Sequence, residues 1–225
     1  MNERLTQLAD QIEIITFDCY GTLVDWETGV RTAIREVSGV DKPALFDAYL
    51  DIEAAVEAKP YRAYREVLRE VLARLAERFD FAVPSERAYA FAEALPSWPL
   101  WPDTNEALSR LKSRYRIGVL SNVDRDLFAG TAGHFDVEVD LLITAQDVQA
   151  YKPSRRHFVR TLAEMGGDRS RVLHAAQSLY HDCVPATALD IANVWINRRG
   201  EGNKTSARPI ATFPDVAGLA DALGV

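Results

Sequence analysis

Asp18 closes the apolar run 12–17 (IEIITF) and is followed by Cys19, Tyr20, Gly21 and Thr22. A carboxylate at the carboxyl end of a buried strand, with glycine opening a turn behind it, is placed to meet a ligand. Taken alone, such an Asp serves equally well as a turn cap. Three further groups follow in order. Ser121 and Asn122 end a second apolar run and can hold an anion through side chains and backbone amides. Lys152, in Tyr151-Lys152-Pro153, stands between a third run and a helical stretch, although a lysine by itself is usually a surface residue. Segment 174–182 (HAAQSLYHD) leads from a fourth run into a helix and carries Gln177, Ser178, Tyr180, His181 and Asp182. Two carboxylates, an ammonium group and several neutral donors at strand ends are the means for nucleophilic or acid–base chemistry on a small anion.

The positioning elements follow from periodicity. Continuously apolar runs at 12–17, 116–121, 141–144, 171–176 and 192–197 predict buried parallel strands. Amphipathic stretches at 103–114, 154–165 and 180–189 predict the helices between them. This alternation implies an α/β fold, a doubly wound parallel sheet of Rossmann-like form, and the C-terminal PIATFPDVAGLADAL adds a short strand and a closing helix. From 26 to 96 the rhythm breaks, with helical stretches at 43–58, 61–79 and 85–95. An all-helical cap domain at 25–96, inserted into a core of 1–24 and 97–225, is the expected division. Pro96, Pro99 and Pro102 around Trp98 and Trp101 mark the return hinge. A cap inserted after the first strand lies over the carboxyl ends of the strands, where open α/β sheets bind ligands.

Composition narrows the partners. Lys plus Arg number 26 against 33 Asp plus Glu, a net charge of −7, which disfavours nucleic acid and anionic membranes as partners. A small anionic substrate needs only local positive charge. The two cysteines, Cys19 and Cys183, form no CxxC pair, so neither a disulfide framework nor a thiolate zinc site is expected. The four histidines show no metal-ligand spacing. No apolar run has the length of a membrane span or the character of a signal core, so a cytoplasmic location is expected. The amphipathic cap helices would permit a homodimer.

The ordered set Asp-x-x-Gly-Thr (18–22), Ser121-Asn122, Lys152-Pro153 and the late Asp182 resembles the motifs of the haloacid dehalogenase superfamily over nearly the whole chain, helical cap included. The resemblance implies that Asp18 is a nucleophile forming a covalent ester and that Thr22 supports its loop. It implies that Ser121 and Asn122 contact the substrate anion or leaving group, and that Lys152 keeps Asp18 ionised. Asp182 corresponds to the late carboxylate, the candidate base for water, with Gln177 orienting that water. Superfamily phosphatases place a second Asp two residues after the nucleophile, because an alkoxide must be protonated as it leaves. This chain has Tyr20 there, as in the hydrolytic 2-haloacid dehalogenases. Phosphatases also carry Gly-Asp where this chain has Ala176-Gln177, and Gln is a poor ligand for Mg²⁺.

The implied activity is therefore metal- and cofactor-independent dehalogenation of short 2-haloalkanoic acids, with fluoroacetate as a demanding case. The alternative is a Mg²⁺-dependent small-molecule phosphatase with Asp18 and Asp182 on the metal; a catalytically retired scaffold is a third reading. Well-known 2-haloacid dehalogenases set a cap arginine over the halide. The matching stretch 46–51 (FDAYLD) has none, which leaves Arg62 or Arg65 beside Tyr61 and Tyr64 as substitutes, against the plainer reading of a solvated helix face. His157 stands where those enzymes have Tyr, and His157 and His181 join Arg62 and Tyr64 as leaving-group or pocket candidates. Cys19 and Cys183 read as buried thiols, Trp98 and Trp101 as hinge packing, and Trp26 as cap-entrance lining or core.

Overall fold

A computed structural model of the chain describes residues 3–40 and 42–225. Six parallel strands form one sheet: β1 (Ile14–Phe17), β2 (Arg116–Ser121), β3 (Leu141–Thr144), β4 (Val172–Ala176), β5 (Ala192–Ile196) and β6 (Ala211–Phe213), in the order β3-β2-β1-β4-β5-β6. The chain steps outward from β1 through β2 to β3, then returns to the other side of β1 and continues outward. That reversal makes the carboxyl ends of β1, β2 and β4 the switch point at which such sheets bind ligands. Every residue of β1 is buried, as a strand covered on both faces requires. Thr16, opposite His174 in the register, meets its Nδ1 at 2.9 Å, which satisfies two polar side chains inside the sheet.

Helices Thr104–Lys112 and Val216–Leu223 pack against each other on the sheet through Ala107, Leu108, Leu111, Leu219, Ala220 and Leu223. The expected helix at 180–189 is present as residues 179–187, a wide π-helical turn, Leu179–Cys183, continuing directly into the α-helix Val184–Thr187.

Between β1 and β2 lie helices Trp26–Ser38, Pro43–Glu57, Tyr64–Phe79 and the shorter Ala90–Ala94. Asp25 caps the first by accepting from the Thr28 amide, and Gly39, at φ 68°, ends it. Val67, Leu68, Val71, Leu72 and Leu75 give Tyr64–Phe79 a buried stripe at helical spacing, which packs on Leu45, Tyr49, Ile52 and Val56 of Pro43–Glu57. The segments entering and leaving these helices are tied together: the Asp25 amide donates to Pro99 O at 2.8 Å and the Trp101 amide to Leu23 O at 3.0 Å. Asp124, just beyond β2, accepts from the amides of Tyr64 and Arg65, both at 2.9 Å, and so fastens the start of that helix to the sheet. Among the described residues, no helix is long and apolar enough to cross a membrane.

Candidate active site

Asp18 extends β1 by one residue, its amide donating to Ala175 O at 3.2 Å across to β4. The chain then turns sharply at Gly21, whose φ of 103° a side chain would resist. Thr22 comes back beneath the carboxylate: its Oγ1 donates to Asp18 Oδ2 at 2.8 Å and accepts from the Gln177 amide at 2.9 Å. One hydroxyl thus links the loop after β1 to the loop after β4.

Lys152 is only 3% exposed, which for a lysine demands compensation. Its Nζ donates to Asp18 Oδ1 at 2.7 Å, Asp182 Oδ1 at 2.7 Å and Leu120 O at 2.9 Å. An ammonium group has three N–H bonds, and all three are in use. No N–H of Lys152 is left for a further partner, so it can act on a ligand only through its charge. Burial favours the neutral amine, but the two carboxylates outweigh it and hold Lys152 firmly protonated. Burial likewise works against Asp182, yet Lys152 and the His174 Nε2 contact at 3.1 Å keep its carboxyl below the usual range. Asp18 goes the other way. Desolvation, reinforced by the Asp182 charge, raises it despite Lys152 and Thr22. The backbone of Lys152 is held as well, its amide donating to Asn122 Oδ1 at 2.7 Å.

Above this cluster lies a cavity of about 420 Å³. Asp18, Tyr20, Asn122, Lys152, Gln177, His181, Asp182 and Tyr64 line it, so most of the residues singled out by motif converge on one space. The Tyr20 hydroxyl meets Thr131 Oγ1 at 2.8 Å, and burial pushes its phenol well up. Burial also lowers His181, whose Nδ1 meets Ser178 Oγ at 3.0 Å.

Several expected site residues do not line the cavity: Thr22 supports it from beneath, and Ser121, His157, Arg62 and Arg65 lie away from it. The Ser121 side chain is fully buried and, among the described residues, without a hydrogen-bond partner. His157 lies beneath the strand ends with Nε2 3.3 Å from Ser121 O, and burial brings it down to about 4. Arg62 is turned to Glu70 at 2.7 Å, and Arg65 pairs with Asp126. Neither arginine stands over Asp18. Cys19 and Cys183 are buried free thiols raised by desolvation, so a redox role gains no support. Trp98 packs edge-on against Tyr20 at 5.9 Å, while Trp26 and Trp101 belong to the cavity wall.

Sequence reasoning passed over Glu53 and Glu57 on the cap side and Arg198 and Arg199 on the sheet side. Arg198 is clamped by Asp103 at 2.8 Å and Thr22 O at 2.7 Å, and Arg199 pairs with Glu27 at 2.7 Å. The i, i+4 spacing of the two glutamates was visible, but nothing local marked that face as inward.

The family model of haloacid dehalogenase-like hydrolases matches residues 12–175. An (S)-2-haloacid dehalogenase of Pseudomonas sp. strain YL is 25% identical over 210 residues, covering 85% of each chain. The crystal structure of Rha0230, a defluorinating L-2-haloacid dehalogenase, superposes with a TM-score of 0.83 at 24% identity, over 95% of this chain and 96% of that one. That of the Xanthobacter autotrophicus L-2-haloacid dehalogenase with chloropropionic acid covalently bound gives a TM-score of 0.83 at 16% identity, over 94% and 98%.

Proposed function

The chain belongs to the haloacid dehalogenase-like hydrolases, and from that premise we propose that it hydrolyses 2-haloalkanoic acids through an aspartyl ester on Asp18. The observation that carries this reading is Tyr20. A phosphoester alkoxide needs an acid beside the nucleophile, whereas chloride leaves unprotonated, and a half-buried phenol engaged with Thr131 and raised by desolvation is a poor acid. The (S)-2-haloacid dehalogenase relatives support the same substrate class.

In the proposed reaction, an Asp18 carboxylate oxygen attacks the α-carbon in line. The carbon–halogen bond breaks, halide departs with its electron pair, and an ester forms. Lys152 holds the attacking carboxylate anionic and, in a site poor in water, favours approach of an anionic substrate. Water then attacks the ester carbonyl of Asp18. Asp182 is the base in this scheme: its Oδ1 is committed to Lys152 and His174, while Oδ2 has no hydrogen-bond partner among the described residues. The products are the 2-hydroxy acid, regenerated Asp18 carboxylate and a proton. Gln177, in the cavity wall, is the candidate for orienting the water.

Mg²⁺, which phosphatase chemistry would require, fits these residues badly. Asp18 and Asp182 converge on the Lys152 ammonium group, and the neighbouring Gln177 is neutral. No step is routed through a metal. A cytoplasmic location accords with two buried free thiols.

Halide release from (S)- and (R)-2-chloropropionate in the presence of EDTA tests the proposal. Turnover that persists, with one ¹⁸O from solvent found in Asp18 after single turnover, is the expected result. Mg²⁺-dependent p-nitrophenyl phosphate hydrolysis without halide release would overturn it in favour of the phosphatase. Fluoroacetate belongs to the same test, since Tyr20, Asn122 and His181 in the cavity wall are donors for fluoride.

A further inference from the structure

Leu50, Glu53, Ala54 and Glu57 form one face of helix Pro43–Glu57, and all four line the cavity over Asp18. That face is therefore substrate-facing, and it is acidic. Like charges at i, i+4 destabilise an isolated helix, and enclosing them adds a desolvation cost. Glu53 is compensated, its Oε1 accepting from Tyr49 Oη at 2.7 Å and Tyr64 Oη at 2.6 Å. Glu57 is not: among the described residues it makes no hydrogen bond and no ion pair, and it stands half-buried in the cavity wall. The cations that could have paired with it are used elsewhere. Lys59, Arg62 and Arg74 all converge on Glu70, at 2.8, 2.7 and 2.5 Å. A carboxyl group in the wall of the cavity, with Lys59, Arg62 and Arg74 all spent on a different glutamate, is left without a protein partner among the described residues.

Cavity size points the same way. About 420 Å³ lies in the range of pockets that enclose drug-sized ligands, far more room than chloropropionate fills. Aromatic rings of Trp26 and Tyr64 complete the wall, and such faces attract cations, whereas Arg198 already covers Trp101 at 4.8 Å.

We propose that Glu57, supported by Glu53, is the specificity element of this site and receives a cationic nitrogen. The substrates are then 2-haloacids whose chain ends in an ammonium group. This assignment rests on the dehalogenase reading for the reacting end and adds the recognition of the other end. Desolvation, together with the Glu53 charge, favours the protonated form of Glu57 while no cation is present. An ammonium group beside it reverses the preference, because opposite charge stabilises the carboxylate.

The test compares 6-amino-2-chlorohexanoate with the isosteric 2-chloroheptanoate as substrates. Calorimetry with the halogen-free pair, 6-aminohexanoate and heptanoate, gives a readout independent of chemistry. The wild-type protein should prefer the amino compounds in kcat/KM and in binding by roughly ten- to a hundredfold, the range of a charge-assisted hydrogen bond. Glu57→Gln, which keeps shape and removes charge, should bring both ratios near one. Equal binding of the two halogen-free acids, or a preference that survives in Glu57→Gln, would overturn the proposal. So would a Glu57→Gln loss of equal size on the amino and alkyl substrates, which would make Glu57 a neutral donor to the shared haloacid end. Glu57-dependent binding of 6-aminohexanoate without halide release from any haloacid would keep the cation site and remove the dehalogenase reading.

Discussion

Replacing Lys152 by Met keeps the length of the side chain and deletes the charge on which Asp18 and Asp182 both depend. Wild-type geometry places the ammonium group 2.7 Å from each carboxylate, with all three residues at most 8% exposed. Removing one partner of a buried charge cluster costs about 3–5 kcal/mol, because what remains is uncompensated charge in a poor dielectric. For a chain of this size 1 kcal/mol moves Tm by about 2–4 °C, so the variant should melt roughly 6–20 °C lower at neutral pH. The dependence on pH is the sharper signature. In the wild type, Asp182 sits below its ordinary range, so its contribution is present above the unfolded carboxylate pKa and is lost as pH falls through the folded value. Without Lys152 only the Thr22 hydrogen bond still lowers Asp18, while burial, the largest cause, and the Asp182 charge push upward. A raised folded pKa contributes stability that is present below the unfolded pKa and disappears as pH rises. The gap in Tm between wild type and Lys152→Met should therefore widen from pH 5 to pH 8. Adding Asp182→Asn to the Met background removes one of the two stranded charges and should recover part of the loss. Single-turnover ester formation should fall by at least about 100-fold at pH 7, since a protonated carboxyl group is not a nucleophile. Scanning calorimetry at several pH values decides the matter. A gap in Tm that is the same at pH 5 and pH 8, or no recovery in the double variant, would refute the electrostatic account of the site.

Thr22→Val strands Asp18 Oδ2 and the Gln177 amide together, so it should cost about 1–3 kcal/mol in urea unfolding; ester formation should slow with little change in KM. Burial holds His157 at about 4 against 6.5 when free, so its protonation opposes folding. Stability should accordingly be lost as pH falls from about 6.5 to about 4, by roughly 3 kcal/mol, and this limb should shrink in His157→Gln. Asp124→Ala removes both acceptors at the start of helix Tyr64–Phe79 and should cost about 1–2 kcal/mol. Because that helix presents Tyr64 to the cavity, KM should rise more than kcat falls, and hydrogen exchange in its first turn should accelerate.

The sheet was legible because a strand covered on both faces leaves a continuous apolar run, and five of the six strands leave one. Asp18, Lys152 and Asp182 stood out for a related reason: Asp18 directly follows β1, and Lys152 and Asp182 lie in the segments beyond β3 and β4, so sequence order and topology together bring them to one end of the sheet. The Ser121-Asn122 pair shows where this reasoning stops. Successive side chains along extended backbone point to opposite sides, so two adjacent residues cannot both face one ligand. Asn122 lines the cavity, while Ser121 turns into the protein. The cap is harder still. Helix Pro43–Glu57 carries Asp47, Asp51, Glu53 and Glu57, and local periodicity treats all four as solvated. Only the docking of the cap, fixed by distant contacts such as Asp124 with the Tyr64 and Arg65 amides, turns two of them toward Asp18. Arg62 met the converse fate. It had the charge expected over a leaving halide, but Glu70, eight residues on and two turns along, draws it to the outer face. The reacting end of the site is thus written in local motifs. The recognising end depends on how a helical insertion settles over the sheet, which leaves the acidic wall formed by Glu53 and Glu57 to be found in three dimensions.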